Sequence, residues 1–541
     1  MMFPCLQEFA VVINASLDQV AVAKRRLDSG LRMIWNGQEI ILRGMIEAGH
    51  RFAIQPVTAG DWVRQYGEPF AISKGLQPGD PVNSATVENL VPQVDINCLD
   101  VAPPYLAPWQ GELPSFWGYS RADGDAGTRN WVLIVPTSMC SSHEAVLIAQ
   151  RAEREGIFDP EKYSNVSGVT AIPHPRGCGC PDVEMDSREV RGGGEATMKM
   201  LGRYIQHPNV GAALVVELGC EKTSLEIFDQ FTGNGHFLAA NRADLAALGD
   251  QQGKPVLKLS IQQAGGTAAA VRQGLSLLPS LLDAANRTPR TRLPVSLLKL
   301  GLKCGGSDAF SGISANPALG HASDLLIRCG GSSMITEIPE FDGAEHLFAR
   351  RAVNCEVGRK ILEAMSRFQA GVSRFGKNMT ENPSPGNKKG GLLNITIKSL
   401  GALAKSGRAP VQGVLSYGEP VPPGSSNGLY LVYAPGYDQY STPAVVAAGC
   451  QLVCFTTGRG TGIGNAIAPV IKIGSNNALY NRMADDIDIN AGPVIEGEET
   501  IETMGEKIFS EIIRVASGTI TRAEANGHRE FAIWAEDDLS L

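Results

Sequence analysis

The sequence lacks an excess of positive charge and long apolar runs. It carries 48 Lys and Arg residues against 56 Asp and Glu residues, which gives a net charge of −8. This balance argues against a nucleic-acid partner held by bulk electrostatics. An anionic substrate would have to be held by local groups. No stretch of 18 or more uninterrupted apolar residues occurs, so the sequence predicts no membrane-spanning segment.

The chain also lacks the features of a secretory signal at its start. The first residues, MMFPCLQEFAVV, show no basic region followed by a long apolar stretch and a small-residue cleavage site. We therefore predict a soluble cytoplasmic protein. Symmetry makes even-numbered homo-oligomers the commonest assemblies, and we expect a dimer.

Length and patterning predict several domains. A chain of 541 residues with 43% hydrophobic residues can form about three domains. Residues 1–95 show short alternating runs between turn signals, which predicts a β-rich domain. The Pro- and aromatic-rich stretch 96–120 predicts a linker. Strand-like runs then alternate with amphipathic segments over 121–380 and again over 381–541, which predicts two α/β domains with mainly parallel sheets.

The eleven cysteines include no CxxC pair. In a reducing compartment they are core residues, nucleophiles or metal ligands. Cys140, Cys220 and Cys304 each follow a short apolar run typical of a buried parallel strand, and Cys178 follows a weaker one. Because open α/β sheets bind ligands beyond the carboxyl ends of their strands, these thiols point towards one common site.

Cys304 lies in a loop rich in small residues, LKCGGSDAFSGISANPALG. Gly305 and Gly306 would let a ligand approach the backbone closely. Successive N–H groups in CGGSD could also cradle a carboxylate. The alternative is that the two glycines only form a tight turn after a strand.

Two further loops carry polar candidates. In NPSPGNKKGG, Lys388 could pair with a substrate carboxylate, or act as a base if burial lowered its pKa. FTTGRGTGIG matches neither the GxxxxGK[ST] nor the GxGxxG phosphate pattern, so it is a weak nucleotide signal. Arg459 with the hydroxyl groups of Thr456 and Thr457 instead predicts a carboxylate clamp.

Seven motifs occur in the order found in the altronate/galactarate dehydratase family, which this chain resembles over nearly its whole length. They are ADGDAGTRN, HPRGCGC, ELGCEK, GGTAAAVRQG, LKCGGSDAFSGISANPALG, NPSPGNKKGG and FTTGRGTGIG. The resemblance implies a small β-clip SAF domain at the N-terminus, followed by the α/β domains. APGYDQYSTPAVVAAGCQLVCFTTGRG and DDIDINAG are more similar to the altronate branch than to the galactarate branch.

The resemblance also implies a cofactor, iron, as Fe²⁺ or as an iron–sulfur cluster. Among the available thiols we choose Cys178, Cys220 and Cys304 as its ligands, with Cys140 in reserve. The catalytic candidates are His174, Asp308 and Lys388. The substrate-binding candidates are His50, Ser307, Asn382, Ser384, Asn387, Thr457 and Arg459.

The implied activity is the dehydration of a sugar acid, an altronate-like aldonate, to a 2-keto-3-deoxy acid. A galactarate-type aldarate dehydratase and a sulfolactate-type sulfo-lyase are the alternatives, and a sugar-acid-binding protein without catalysis is a third. Altronate-type members usually carry two histidines near the end of the SAF domain, whereas PGDPVNSATVENL has none. His50 does match the SAF histidine of the family.

Overall fold

The computed structural model describes residues 3–92, 100–178, 193–222, 237–239 and 254–536. Cys98 and Cys180 lie outside the described residues. No helix within the described ranges is long and apolar enough to span a membrane.

Residues 3–92 form a β-rich N-terminal unit, as predicted. Its strands pair antiparallel in the orders β1-β2-β5-β8, β3-β4 and β6-β7-β9. Two hairpins turn at residues with positive φ, Asn36-Gly37 and Tyr66-Gly67, as two-residue hairpin loops require. The strands are β1 (Ala10–Val11), β2 (Val20–Ala23), β3 (Arg32–Trp35), β4 (Gln38–Ile41), β5 (Arg51–Ala53), β6 (Trp62–Gln65), β7 (Glu68–Ser73), β8 (Pro81–Val82) and β9 (Val87–Glu88).

The predicted linker 96–120 contains a strand at its end. Residues 100–114 are without helix or strand, whereas β10 (Ser115–Ser120) pairs antiparallel with β11 (Ala126–Gly127) and β17 (Arg290–Pro294). The aromatic residues of SFWGYS therefore mark a strand rather than the continuation of a linker.

A five-stranded parallel sheet follows, in the order β13-β12-β14-β16-β15. In β12, Leu133 and Val135 pack into one hydrophobic core, and Val132 and Ile134 into another. Burial of both faces explains the uninterrupted apolar run in the sequence. The strands are β12 (Trp131–Pro136), β13 (Gly168–Ala171), β14 (Val210–Glu217), β15 (Phe237–Ala239) and β16 (Lys254–Ser260). The helices are α1 (Met139–Arg154), α2 (Gly193–Gln206), α3 (Ile261–Ala264) and α4 (Thr267–Asn286).

A seven-stranded parallel sheet has the order β20-β21-β19-β18-β22-β23-β24. Its strands are β18 (Lys299–Cys304), β19 (Ser332–Ile335), β20 (Val411–Leu415), β21 (Leu429–Val432), β22 (Leu452–Thr457), β23 (Val470–Gly474) and β24 (Ile489–Asn490). The sheet takes strands from both sides of residue 380, so the predicted boundary between 121–380 and 381–541 falls within one sheet. The loop near 380 links helices that surround the sheet.

The helices around this sheet are α5 (Ala315–Arg328), α6 (Glu345–Arg350), α7 (Cys355–Arg374), α8 (Pro385–Lys389), α9 (Ile395–Leu403), α10 (Asp438–Ala447), α11 (Asn477–Arg482), α12 (Gly492–Glu496), α13 (Ile501–Ala516) and α14 (Arg522–Ala525). One hydrophobic core contains residues of both parallel sheets, for example Leu133 and Val453. The two α/β layers therefore share a buried face.

Candidate active site

The carboxyl edge of the seven-stranded sheet gathers buried charged side chains. β18 ends at Cys304, β19 is followed by Glu337, and α10 begins at Asp438 shortly after β21. We call Cys304, Glu337, Glu340, Asp438, Lys303, Lys398 and Lys405 the Cys304 group. In open α/β sheets this edge is where ligands bind.

The Cys304 thiol lies between the carboxylate of Glu340 and the ammonium group of Lys405. It is 1% exposed, donates to Glu340 Oε2 at 3.1 Å and accepts from Lys405 Nζ at 3.3 Å. Lys405 Nζ also lies 2.6 Å from Glu340 Oε2, and Lys398 Nζ lies 3.5 Å from Glu340 Oε1. The Glu340 carboxylate is thus held by two ammonium groups.

Lys303 is the centre of a second set of contacts in the group, with Glu337 and Asp438. It precedes Cys304 on β18 and therefore points to the opposite face of the strand. Its Nζ lies 2.5 Å from Glu337 Oε1 and 3.4 Å from Asp438 Oδ1, and it donates to Ser441 Oγ at 2.6 Å. Glu337 has φ +72°, an uncommon conformation for a residue other than glycine, which is typical of functional sites.

The two glutamates of this group differ in protonation. Burial raises the pKa of Glu337 to about 8, and the charge of Glu340 acts in the same direction. Burial also disfavours ionisation of Glu340, but the charges of Lys405 and Lys398 outweigh it and hold the pKa of Glu340 well below its usual range. At neutral pH the site therefore pairs a protonated carboxyl with an ionised one, an arrangement that suits acid–base chemistry.

Cys304, Glu337 and Glu340 also form a possible metal site. Each offers one ligand atom within 4.8 Å of the others, and this is the only such group of three among the described residues. The Glu337 Oε2 atom is buried without a hydrogen-bond partner. Lys303, Lys398 and Lys405, however, already supply at least one positive charge for each ionised carboxylate in the group, so its charge balance does not require a cation.

The glycines after Cys304 serve two purposes. A Cβ atom on Gly305 would lie 2.5 Å from Asp438 Oδ2, so only glycine permits this approach. Gly306 has φ +58° and forms a tight turn. Gly305 thus makes room for the Asp438 side chain and Gly306 forms the turn, whereas the approach of a ligand to this backbone stays a prediction.

Asp308 is a fully hydrogen-bonded anchor. Its oxygens accept from the Ser311 N–H and hydroxyl at 2.8 Å each, and from Ser475 Oγ and Asn476 Nδ2 at 3.0 Å each. These bonds join the β18 loop to the end of β23. This network accounts for a structural role of Asp308, and its predicted catalytic role remains a prediction.

The loop 382–391 packs against the residues that follow Cys304, 305–311, which we call the Cys304 loop. Asn387 Nδ2 donates to the Ser307 carbonyl at 2.7 Å, and Ser307 Oγ lies 3.5 Å from Cys304 Sγ. Asn382 Oδ1 accepts from Lys398 Nζ at 3.1 Å. Ser384 caps α8, and Lys388 is exposed on this turn. Asn387 and Asn382 thus contact Ser307 and Lys398, two neighbours of the Cys304 site, and Ser384 and Lys388 belong to the same loop.

The remaining substrate-binding candidates lie around the same loops. Thr457 is buried at the end of β22 and accepts from the Gly460 N–H at 3.0 Å. Arg459 has an exposed side chain, and its backbone N–H donates to the Gly306 carbonyl at 2.7 Å. His50 Nε2 lies 3.4 Å from the Lys389 carbonyl oxygen.

The other predicted thiols lie at the five-stranded sheet. Cys140, Cys178 and Cys220 follow β12, β13 and β14, which are neighbours in that sheet. The thiols of Cys140 and Cys178 are hydrogen-bonded to each other, and Cys140 and Cys220 are exposed. The structure thus brings the reserve candidate Cys140 to Cys178, whereas Cys304 has Glu340 and Lys405 as neighbours.

His174 has both ring nitrogens engaged. Nε2 lies 3.0 Å from the Pro136 carbonyl oxygen, and Nδ1 accepts from the Arg176 N–H at 3.3 Å. Burial lowers its pKa to about 4, so the ring is neutral at pH 7. These bonds are sufficient to explain the histidine as a support for the segment that leads to Cys178.

Local sequence patterns do not single out six charged residues of the site, which are Lys303, Lys398, Lys405, Glu337, Glu340 and Asp438. Two signals were available. A lysine inside the apolar run LLKLGLKC is unusual for a strand buried on both faces. The acids of TEIPEF directly follow the strand SSMI, at the edge where ligands bind.

Three family models match the chain in series. They are described as the Altronate/galactarate dehydratase SAF domain (residues 9–90), the D-galactarate dehydratase/Altronate hydrolase second domain (118–286) and the D-galactarate/Altronate dehydratase C-terminal domain (295–538). The second and third models meet between residues 286 and 295, before the first strand of the seven-stranded sheet.

Curated relatives match over nearly the full chain. An altronate dehydratase of Bacillus subtilis (strain 168) is 37% identical over 96% of this chain and 97% of its own length. An altronate dehydratase of Escherichia coli (strain K12) is 32% identical over 96% of this chain and 97% of its own length. A galactarate dehydratase (L-threo-forming) of the same organism is 34% identical over 94% of this chain and 91% of its own length.

Proposed function

The chain belongs to the altronate/galactarate dehydratase family of hydro-lyases, and from that premise we propose that it dehydrates an altronate-like aldonate to a 2-keto-3-deoxy acid. The observation that carries the proposal is the Cys304 group, which places a protonated and an ionised carboxyl beside three ammonium groups at a ligand-binding sheet edge. The predicted polar loops surround it.

The reaction breaks one C–H and one C–O bond. A base removes the proton from C2, next to the carboxylate, and the C3 hydroxyl leaves as water after it takes a proton. The resulting enol becomes the 2-keto acid when C3 gains a proton. The difficult steps are the build-up of negative charge on the carboxylate and the departure of hydroxide, and both need groups placed beforehand.

Lys398 and Lys405 are suited to hold the substrate carboxylate. Lys398 is partly exposed whereas Lys405 is buried, so an entering carboxylate would meet Lys398 first. Ammonium groups at fixed positions stabilise the charge that develops when C2 loses its proton.

Glu340 and Glu337 are suited to exchange protons with the substrate. A substrate carboxylate would compete with Glu340 for the lysine charges, and the basicity of Glu340 would then rise. Glu337 holds a proton at neutral pH and can deliver it to the leaving hydroxyl. Asp308, Lys388 and His174 remain proposed catalytic residues with less support from their contacts.

We assign the substrate hydroxyl groups to the loops around Cys304. Arg459 and Thr457 lie at one loop, and Lys388 at the turn that contacts Ser307. The proposed substrate-binding residues of these loops are His50, Ser307, Asn382, Ser384, Asn387, Thr457 and Arg459.

Iron fits the thiols of the five-stranded sheet better than it fits Cys304. Thiolates are suitable iron ligands, and Cys140, Cys178 and Cys220 follow three neighbouring strands. The Cys140 and Cys178 thiols are already in contact, so this set could hold iron as Fe²⁺ or as an iron–sulfur cluster. In a dehydratase, bound iron supplies a Lewis acid.

Metal analysis of single variants tests this ligand set. We expect Cys140→Ser, Cys178→Ser and Cys220→Ser each to remove most of the iron, and its visible absorption, from protein purified without oxygen. Cys304→Ser should keep both, because Cys304 has Glu340 and Lys405 as its partners. Cys355→Ser, an exposed thiol elsewhere, is the control. Loss of iron from Cys304→Ser alone would reject the assignment.

Substrate screening tests the activity itself. Altronate should give a 2-keto-3-deoxy acid, detected as a keto acid. Faster turnover of galactarate would indicate the aldarate branch, and sulfite released from sulfolactate would indicate the sulfo-lyase. Binding of a sugar acid without turnover by iron-loaded protein would leave only the non-catalytic alternative.

We also propose a cytoplasmic location and a homodimer. The cysteines of the described residues are free thiols, the state that the cytoplasm maintains. The partner of the reaction is a small sugar acid, and the net charge of −8 gives no basis for a nucleic-acid partner.

A further inference from the structure

Arg51 lies at the junction between the N-terminal unit and the loop 382–391. It belongs to β5 and is 2% exposed. Its Nε donates to Gln65 Oε1 within the N-terminal unit, and its Nη1 donates to the carbonyl oxygen of Gly391. One guanidinium therefore links the SAF domain to the loop that contacts Ser307.

The charge of Arg51 is not matched by an acid. Among the described residues no carboxylate forms an ion pair with it, and its Nη2 is buried without a hydrogen-bond partner, as is the Nε2 of Gln65. Burial lowers the pKa of Arg51 to about 10. A buried, unpaired charge is costly to stability. Packing alone therefore does not explain arginine at this position.

The backbone on both sides of this contact is close-packed. Gly391 has φ +93°, and a Cβ atom there would lie 2.2 Å from the Gly49 carbonyl oxygen. The Ala309 N–H donates to the Gly390 carbonyl at 2.9 Å. Gly391 thus lies directly between the N-terminal unit and the Cys304 loop.

A second side chain of the N-terminal unit supports the same junction. Tyr66, with φ +60°, places its hydroxyl where a Cβ on Gly312 would lie 2.3 Å away and a Cβ on Gly401 would lie 3.2 Å away. Gly401 belongs to α9, the helix that also carries Lys398. The SAF domain is therefore in contact with two elements that carry site residues.

We propose that Arg51 is a positioning residue: its hydrogen bond to Gly391 holds the turn 384–391 in place, so that the SAF domain controls how the substrate is bound. The link runs from Arg51 to Gly391, then through Asn387 to Ser307 beside Cys304. The inference rests on the proposed function, because the turn carries the proposed substrate-binding residues.

The test compares Arg51→Met with Arg64→Met. Arg64 lies in the same unit and donates to the Gly67 carbonyl, so its loss removes a similar bond that does not reach the turn. In Arg51→Met we expect KM for the sugar acid to rise about tenfold, the size of one charge-assisted hydrogen bond, with little change in kcat. Arg51→Lys should recover part of this loss, and Arg64→Met should leave KM unchanged.

Hydrogen exchange supplies a readout that needs no substrate. The backbone amides of residues 384–392 should exchange faster in Arg51→Met than in the natural protein. In Arg64→Met they should exchange at the same rate as in the natural protein. Faster exchange supports the inference even if altronate is not the substrate. Unchanged exchange and unchanged KM in folded Arg51→Met would overturn it. If Arg51→Met does not fold, Arg51→Lys decides by the same two measurements.

Discussion

Replacement of Lys405 by methionine is expected to lower kcat/KM by about 10²–10³-fold, the loss seen when one preorganised charge-stabilising donor is removed. Lys405 lies 2.6 Å from Glu340 and 3.3 Å from the Cys304 thiol. Without its ammonium group, the carboxylate of the substrate loses a counter-charge, and the pKa of Glu340 rises because Lys405 is the strongest of the charges that lower it. Steady-state kinetics on the sugar acid measure the loss.

The same change is expected to reduce stability, because removal of one partner of a buried ion pair costs about 3–5 kcal/mol. Two comparisons separate the effects. Lys472→Met removes another lysine with a buried side chain, whose ion-pair partner is Asp486, and should destabilise without abolishing catalysis. Lys405→Met with Glu340→Leu should recover stability but not activity. Full activity in folded Lys405→Met would show that the Cys304 group is not the active site.

Replacement of Glu337 by glutamine is expected to lower kcat by about 10²–10⁴-fold, the usual contribution of a general acid. The carboxyl pKa is raised to about 8 by burial, so the acid is protonated below pH 8 and ionised above it. For the natural protein kcat/KM should therefore fall about tenfold for each pH unit above 8. The variant should lack this alkaline decrease, which a pH–rate profile from pH 6 to 10 reveals.

Asp342→Asn is the matched control for Glu337→Gln. Asp342 lies in the same segment and is also buried, with a pKa raised by burial, but its hydrogen-bond partner is Gln369. The control should keep both the rate and the alkaline decrease. An unchanged profile in Glu337→Gln would assign the titration to another group.

The sequence predicted the elements of this protein well. The β-rich start, the parallel strands and the cysteines after strand ends follow from local patterns: alternation, uninterrupted apolar runs and punctuation by glycine and proline. The motifs identified the family because they are long and occur in one order. The strand before Cys304 is an example, since burial on both faces requires its apolar run.

The composition of the site was decided by tertiary structure alone. Lys405 is 101 residues from Cys304 and Glu340 is 36 residues from it, and a lysine in a helix or a glutamate after a strand is normally a solvated residue. These charges are buried only because three segments come together in the fold: β18, the segment after β19 and the segment after α9. Once they are buried side by side, the charge of each group shifts the pKa of the others. Burial and mutual charge set the protonation of Glu337 and Glu340, and neither quantity can be read from local sequence.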